Sequence, residues 1–143
     1  MINFFKSIFK KKSSKSKEKI DENLACAILL IEVSYADFKI DKTEIKSIIE
    51  LFEKNFKLSK KESEWLSDKA LNIHKDANCL REYIKYINNN YTKEQKNNLI
   101  KMAWRVARAD NIVDKHEEYI IRKLSDLLYV NHIDFIKSKI NTE

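Results

Sequence analysis

The hydrophobic positions of this chain follow a helical period from about residue 21 to residue 140. Apolar side chains recur three or four residues apart, and no segment shows the sustained alternation that is typical of a β-strand. Polar residues that favour helix N-caps divide the pattern into seven segments. The predicted helices begin near Asp21 or Asn23, Asp41, Ser59, Asp76, Thr92, Lys115 and Asn131. Because the connections are only a few residues long, the pattern predicts an all-α fold, a compact bundle of about seven helices.

The chain also repeats itself at an interval of 73 residues. The stretch 36–44, Ala-Asp-Phe-Lys-Ile-Asp-Lys-Thr-Glu, recurs at 109–117 as Ala-Asp-Asn-Ile-Val-Asp-Lys-His-Glu. A solenoid needs roughly three or more units, so two copies instead predict an internal pseudo-twofold repeat within one domain. The flanking helices repeat their apolar faces as well, in the pairs Leu29/Met102, Leu30/Ala103, Val33/Val106, Ile48/Ile121 and Leu51/Leu124.

The first predicted helix is the most apolar part of the chain. Residues 24–31 form a continuous apolar run, which implies burial on most sides of the helix. Glu32 and Ser34 interrupt the run, so we expect the C-terminal half of this helix to be partly open. Cys26 and Cys79 occur singly, without the paired spacing of a zinc site, and are expected to be small buried side chains in a reducing compartment. Glycine and proline are absent, so Asn, Lys or Ser must serve where the backbone needs a positive φ.

The formal net charge of +6 belongs entirely to the N-terminus. Residues 1–20 contain seven lysines and one glutamate, whereas residues 21–143 contain 21 basic and 21 acidic side chains. We therefore divide the chain into a basic N-terminal segment, 1–20, and a helical domain, 21–143. Residues 11–19 contain no apolar side chain and are expected to be a flexible linker.

Residues 2–12 place their apolar side chains on one face of a helix and mainly lysine, serine and asparagine on the other. This segment suits an anionic membrane surface or the groove of a protein partner, and it equally suits a helix folded back on its own core. No run of the sequence reaches the roughly 18–20 apolar residues that span a bilayer, and no secretory signal is recognisable. The apolar set is Ile2, Phe4, Phe5, Ile8 and Phe9.

Each copy of the repeat forms an acidic corner between two predicted helices. Asp41 with Glu44, and Asp114 with Glu117, have the spacing of a capping box in which Asp is the N-cap. Helix capping alone explains these four residues, and a cap stabilises a helix by about 1 kcal/mol.

Capping does not explain the carboxylate that closes the preceding helix in each copy. Asp37 and Asp110 lie at the negative end of a helix dipole, where a carboxylate costs roughly 0.3–1 kcal/mol. Loop N–H groups, a nearby Lys or Arg, or a bound cation would compensate. Carboxylate oxygens suit Ca²⁺, Mg²⁺ or Mn²⁺ better than Zn²⁺. A structural corner and a metal site of Asp37, Asp41 and Glu44, or of Asp110, Asp114 and Glu117, therefore both stay open.

The order of residues around the second corner resembles a known family. The chain reads Trp104-Arg105-Val106-Ala107-x-Ala109-Asp110-x3-Asp114-x-His116-Glu117-Glu118 and continues through Leu127-Leu128-x-Val130-x-His132-x-Asp134-Phe135. With the first copy, this string closely resembles the bacterial tellurite-resistance TerB-like family over about residues 21–140. The wider fold of that family includes the N-terminal domain of the co-chaperone DjlA.

The resemblance implies an all-α domain of pseudo-twofold helices in the bacterial cytoplasm. It further implies acidic corners proposed to bind metal ions and a link to stress responses at the inner membrane. The family usually has Gly after Ala-Asp, where this chain has Phe38 and Asn111. Asn tolerates a left-handed backbone better than Phe does, so the second corner keeps the family pattern better. Its ligands would be Asp110, Asp114 and Glu117, with His116 or Glu118 adjacent.

The sequence ranks the function classes. An enzyme is the weakest, because no nucleophile–base arrangement is visible and a glycine-free chain cannot form a Gly-rich phosphate loop. The leading hypothesis is a TerB-like interaction module that responds to a divalent cation and is recruited to a protein partner or the inner membrane by its basic N-terminus. The alternative is a structural protein–protein adaptor whose carboxylates only cap helices. Nucleic acid is not expected as a partner, because the neutral domain offers no basic face.

Overall fold

The computed structural model describes residues 21–35, 42–76, 80–109, 113 and 115–141. These residues form seven α-helices and no strand, as the hydrophobic pattern predicts. The helices are α1 (Glu22–Ser34), α2 (Lys42–Asn55), α3 (Lys60–Asp76), α4 (Arg81–Asn90), α5 (Lys93–Ala107), α6 (Lys115–Leu127) and α7 (His132–Asn141). The N-terminal segment 1–20 lies outside the described residues.

Helix α1 is the centre of the bundle. It packs against α3, α4, α5 and α6, and every residue from Leu24 to Ile31 is buried. Helix α2 packs on α3 and α5, while α7 packs on α5. The continuous apolar run thus forms the middle of one shared core, because neighbouring helices cover it on most sides. No helix within the described part of the chain is both long and apolar enough to cross a membrane.

The predicted N-caps are confirmed for four helices. The side chain of Asp21 accepts from the backbone N–H of Leu24 at 2.8 Å, and that of Asn131 accepts from the N–H of Asp134 at 2.8 Å. Ser59 and Glu62 form a reciprocal capping box at the start of α3. The same arrangement opens α5, where Thr92 pairs with Gln95. These local signals set the helix boundaries because each satisfies backbone N–H groups that the helix leaves without partners.

The prediction that Asp76 caps the fourth helix is wrong. Helix α3 continues through Asp76, and α4 begins four residues later than that prediction, at Arg81. Leu80 occupies the N-cap position in a helical conformation and makes no side-chain cap hydrogen bond. It packs instead against the core. Burial of the Leu80 side chain therefore determines where α4 begins. A polar N-cap residue, which would mark this position in the sequence, is not present there.

The C-terminal half of α1 is partly open at Glu32, as its polar residues predict, whereas Ser34 is buried. Ser34 is 1% exposed, and its hydroxyl donates to the carbonyl oxygen of Leu30. Glu32 is half-buried and lies 2.8 Å from the ring of His74 on α3. Both polar side chains find hydrogen-bonding or ionic partners within the bundle.

Two bulky residues adopt the positive φ that glycine would normally provide. Lys57 has φ 54° just after α2, and Tyr129 has φ 59° just after α6. The N–H of Val130 donates to the carbonyl of Ser125, and that of Tyr129 donates to Asp126, which is the hydrogen bonding of a Schellman motif. Lysine was one of the residue types expected at such positions, whereas tyrosine was not. The exposed Tyr129 ring lies under the Nζ atom of Lys96, 5.7 Å from its centroid.

All five pairs of repeated apolar residues are buried, as the repeat predicts. Helix α1 packs on α6 and α5 packs on α2, the two contacts that a twofold relation would exchange. The pseudo-twofold symmetry itself stays a prediction. Cys26 is fully buried as expected, and burial raises the pKa of its thiol to about 12. Cys79 lies outside the described residues.

Candidate functional site

The predicted acidic corners fall partly outside the described structure. Asp37, Asp41, Asp110 and Asp114 are not among the described residues. Glu44 lies in the first turn of α2 and Glu117 in the first turn of α6, at positions that the 73-residue interval pairs. Each of these two glutamates is 8% exposed. The structure therefore places one carboxylate of each predicted corner at the edge of the core.

Burial of these two glutamates carries an energetic cost. A carboxylate removed from water costs several kcal/mol unless hydrogen bonds or opposite charges compensate. Glu44 and Glu117 both interact with polar surroundings, and both lie near a helix N-terminus, where the dipole favours negative charge. Their common position suits a capping box and equally suits an oxygen ligand for a hard cation.

Cationic and aromatic side chains surround the helices of the second corner. Lys139 of α7 lies 3.1 Å from Glu118 of α6, and Arg108 donates to the carbonyl of Lys139 at 3.2 Å. The cationic groups of Arg108 and Lys139 each lie 5.5 Å from the centroid of the buried Trp104 ring. Arg122 lies 3.8 Å from Glu118. Ion pairs with Glu118 and cation–π contacts with Trp104 therefore connect α7 to α5 and α6.

Near the first corner, a histidine connects the neighbouring helices instead. The Nε2 atom of His74 lies 2.8 Å from Glu32, and its ring stacks on Tyr35 at 4.9 Å between centroids. Glu32 and Tyr35 lie at the C-terminal end of α1, directly before the acidic stretch. His74 lies in the last turn of α3 and connects that helix to α1.

Two groups that could carry other chemistry are accounted for by the fold. The Cys26 thiol has a raised pKa because it is buried, so it stays protonated at neutral pH and is not a nucleophile. The phenol of Tyr91 donates to the backbone carbonyl of Glu22 at 2.7 Å, and burial raises its pKa as well. His132 is an exposed residue in the first turn of α7.

The described residues contain no group of three or more Asp, Glu, His or Cys side chains placed to hold a metal ion. Four of the six predicted ligands lie outside those residues, so only Glu44 and Glu117 can be compared with the prediction. Both have the carboxylate chemistry that Ca²⁺, Mg²⁺ and Mn²⁺ prefer.

Sequence reasoning missed the roles of Arg108 and Lys139. A weak signal was present, because Trp104 and Arg108 are four residues apart and therefore adjacent on one helix face. Lys139 gave no comparable signal, since its contact with Glu118 joins residues 21 positions apart.

Comparison with known proteins agrees with the motif. A family model described as tellurite resistance protein TerB matches residues 23–140, which is most of the chain. No curated protein and no solved structure matches the chain.

Proposed function

This chain belongs to the TerB family of tellurite resistance proteins, and we propose that it is a non-enzymatic module that binds a divalent cation at its acidic corners. We further propose that it acts in a stress response of the tellurite-resistance type, in the cytoplasm at or near the inner membrane. The observation that carries the proposal is the matched burial of Glu44 and Glu117. Two carboxylates at equivalent places are each held at the edge of the core, beside further carboxylates in sequence.

The second corner is the stronger candidate. Its ligands would be Asp110, Asp114 and Glu117, and Asn111 follows the first of them at the position where the family usually has glycine. Asn adopts a left-handed backbone at lower cost than Phe38, its counterpart in the first corner. The first corner would offer Asp37, Asp41 and Glu44. A bound Ca²⁺, Mg²⁺ or Mn²⁺ would neutralise carboxylates that otherwise repel one another.

One observation favours the alternative, a protein–protein adaptor in which the carboxylates only cap helices. Arg108, Arg122 and Lys139 place positive charge on the helices around the second corner. Arg122 and Lys139 pair with Glu118, and positive charge of this kind would compensate corner carboxylates without any metal ion. The two functions therefore differ in whether the folded protein gains stability from added cations.

Thermal melts with chelator and with millimolar Ca²⁺, Mg²⁺ or Mn²⁺ separate the two functions. If a metal site exists, added cation raises the free energy of unfolding of the wild type by RT ln(1 + [L]/Kd). Asp114→Asn and Asp110→Asn should both abolish this gain. If the carboxylates only cap helices, added cation should not change the stability of the wild type, and Asp114→Asn should have little effect on it. Asp114→Ala should lower the free energy of unfolding by about 0.5–2 kcal/mol. Glu117→Gln and Glu44→Gln each remove the charge from one corner. Gln can still accept a capping-box hydrogen bond, so these variants separate the loss of charge from the loss of a cap. A wild-type Tm that no cation changes would leave the adaptor function.

The variant Lys139→Met tests which corner binds the cation. Removing one positive charge near the second corner should tighten cation binding there by roughly two- to fivefold, since partly exposed charges interact weakly over a Debye length. Binding at the first corner should be unaffected. An unchanged affinity in Lys139→Met together with a loss in Glu44→Gln would assign the ion to the first corner.

Membrane recruitment is tested on the full chain with anionic and neutral lipid vesicles. Each lysine near an anionic surface contributes at most about 1 kcal/mol, so Lys6, Lys10, Lys11 and Lys12 changed to Gln should weaken cosedimentation strongly. Raising the salt concentration should do the same to the wild type. Equal cosedimentation of both proteins would rule out the membrane role and leave a protein partner.

A further inference from the structure

A groove opens where the N-terminal end of α1 meets the beginning of α3. We refer to it as the α1 groove. Its volume is about 290 Å³. Three carboxylates, those of Asp21, Glu22 and Glu62, lie beside the apolar side chains of Leu58, Trp65 and Leu66. None of the sequence predictions assigned a role to this combination.

The α1 groove is strongly acidic. The described residues that line it carry three negative charges and no basic side chain. Two helix N-termini, those of α1 and α3, adjoin the groove and offset about one unit of this charge. The pKa of the nearby Tyr86 is raised by burial first and then by the charges of Glu22 and Asp21, as expected beside an acidic surface.

The apolar part of the α1 groove suits the aliphatic stem of a lysine. Trp65 is 38% exposed, whereas the adjacent Leu66 is buried. Lys69 of the same helix lies 5.5 Å from the centroid of the Trp65 ring, so this ring already accommodates one ammonium group. A side chain with an apolar stem and a cationic end would contact both the apolar wall and the carboxylates.

We propose that the α1 groove binds the lysine-rich segment 10–19 of its own chain. The segment contains six lysines and one glutamate, a net charge of +5 that opposes the charge of the groove. It precedes Asp21, which itself lines the groove, with Ile20 as the sole residue between them. Lys15, Lys17 and Lys19 are two to six residues from Asp21, and an extended chain covers about 3.3–3.6 Å per residue.

Covalent attachment makes weak contacts sufficient. Attachment through a short connection gives an effective concentration in the millimolar range, so ion pairs of low intrinsic affinity suffice to hold the segment. Lysines held in the α1 groove are withdrawn from any other anionic surface. The groove would thereby regulate how much of the basic segment is exposed, and this role requires neither the proposed cation site nor membrane binding.

Three substitutions neutralise the α1 groove while keeping its helix caps. Asp21→Asn retains an N-cap oxygen, and Glu62→Gln retains the capping box with Ser59. Glu22→Gln changes an exposed side chain in the first turn of α1. The matched control changes Glu50, Glu53 and Glu64 to Gln. These three line a separate groove between α2 and α3, which also contains Lys42, Lys46 and Lys60.

Limited digestion with trypsin reads out the exposure of the segment directly, because trypsin cleaves after lysine. At low salt, the neutralised variant should be cut within residues 10–19 at least about threefold faster than the wild type, given about 0.2–1 kcal/mol for each exposed ion pair. The control should be cut at the wild-type rate, although its net charge equals that of the neutralised variant. At high salt the difference should disappear.

Three results would overturn the proposal. The first is equal cleavage of all three proteins at low salt. The second is equal acceleration in the control, which would show that trypsin responds to net charge alone. The third is protection of the wild type that grows with protein concentration, which would assign the groove to the segment of a second copy. If the triple variant melts early, Glu22→Gln alone leaves both caps intact and should still give a smaller acceleration.

Discussion

The two halves of the protein carry the same acidic motif but surround it with different side chains. In the first half, Tyr35 follows the last residue of α1, and α2 carries isoleucine at the matched positions. In the second half, three of the four matched positions carry charge and the fourth is a tryptophan. The pairs at the 73-residue interval are Ile31 and Trp104, Tyr35 and Arg108, Ile45 and Glu118, and Ile49 and Arg122.

The third helix of each half shows the same divergence. The positive-φ residues Lys57 and Tyr129 are 72 residues apart, which pairs α3 with α7 at that interval. Helix α3 then has the buried Ser63 and Ser67 where α7 has Phe135 and Lys139. The first half therefore has small buried residues at positions where a charged and aromatic cluster joins the helices of the second half. The two halves therefore share the acidic motif and differ in the side chains of the helices around it.

The largest expected effect tests whether the two halves share one core. Leu29 and its counterpart Met102 are both buried, on α1 and α5, which pack against each other. Leu29→Asp and Met102→Asp should each abolish the cooperative melting transition of the whole domain. Burying an unpaired charge costs more free energy than the folded domain has as stability. Tyr119→Asp, at a side chain that is 61% exposed, is the control and should melt normally. Two separate transitions in either core variant would show that the halves fold independently.

A smaller effect separates the two kinds of packing. Trp104 stacks at a tilt on Phe135 of α7, with centroids 5.6 Å apart, and its counterpart Ile31 is equally buried. Trp104→Ala should lower the free energy of unfolding by about 3–5 kcal/mol, and Ile31→Ala by about 2–5 kcal/mol. The distinguishing measurement is hydrogen exchange in α7, which Trp104→Ala should accelerate more. Equal protection of α7 in both variants would show that the cluster does not hold this helix.

Much of the fold follows from the sequence because its signals are local. The capping boxes at Ser59 and Thr92 each act across three residues, and the apolar period identifies each helix without reference to its neighbours. The start of α4 was mispredicted because Leu80 is fixed by packing, for which Asp76 gave a misleading polar signal. The contact between Glu32 and His74 could not be predicted either, because the two residues are 42 positions apart in the sequence.

The candidate site was predictable only as far as the repeat extends. The repeat paired Glu44 with Glu117, and their equal exposure agrees with that pairing. The repeat could not show the positive charge near the second corner, because Arg108 and Lys139 meet through the packing of α5 on α7. Residues that act through tertiary contacts leave no spacing for a sequence pattern to detect.

A third prediction compares the connections that join the third helix to the rest of each half. In the first half, His74 and Glu32 are 2.8 Å apart with 17% and 29% of their side chains exposed. In the second, Lys139 and Glu118 are 3.1 Å apart with about a third of each side chain exposed. Double-mutant cycles to alanine should give a coupling of about 1–1.5 kcal/mol for the first pair and about 0.5–1 kcal/mol for the second. Stronger coupling in the second pair would mean that the nearby Trp104 ring reinforces it.

The smallest expected effect concerns the serines that replace this cluster in the first half. The hydroxyls of Ser63 and Ser67 are buried and have no hydrogen-bond partner within the described part of the protein. Each forgoes a hydrogen bond to water, so Ser63→Ala and Ser67→Ala should each stabilise the domain by about 0.5–1 kcal/mol, measured by urea unfolding.

Ser125 of α6 is the matched control, because it is equally buried and its hydroxyl donates to the carbonyl of Ile121 at 2.9 Å. Ser125→Ala loses that hydrogen bond and should be neutral or destabilising by up to about 1 kcal/mol. If alanine raises the free energy of unfolding at Ser63 and Ser67 but lowers it at Ser125, the result would support close packing as the role of the two α3 serines. If all three substitutions destabilise equally, the α3 hydroxyls have partners in solution, and the contrast between the two third helices is smaller than their side chains indicate.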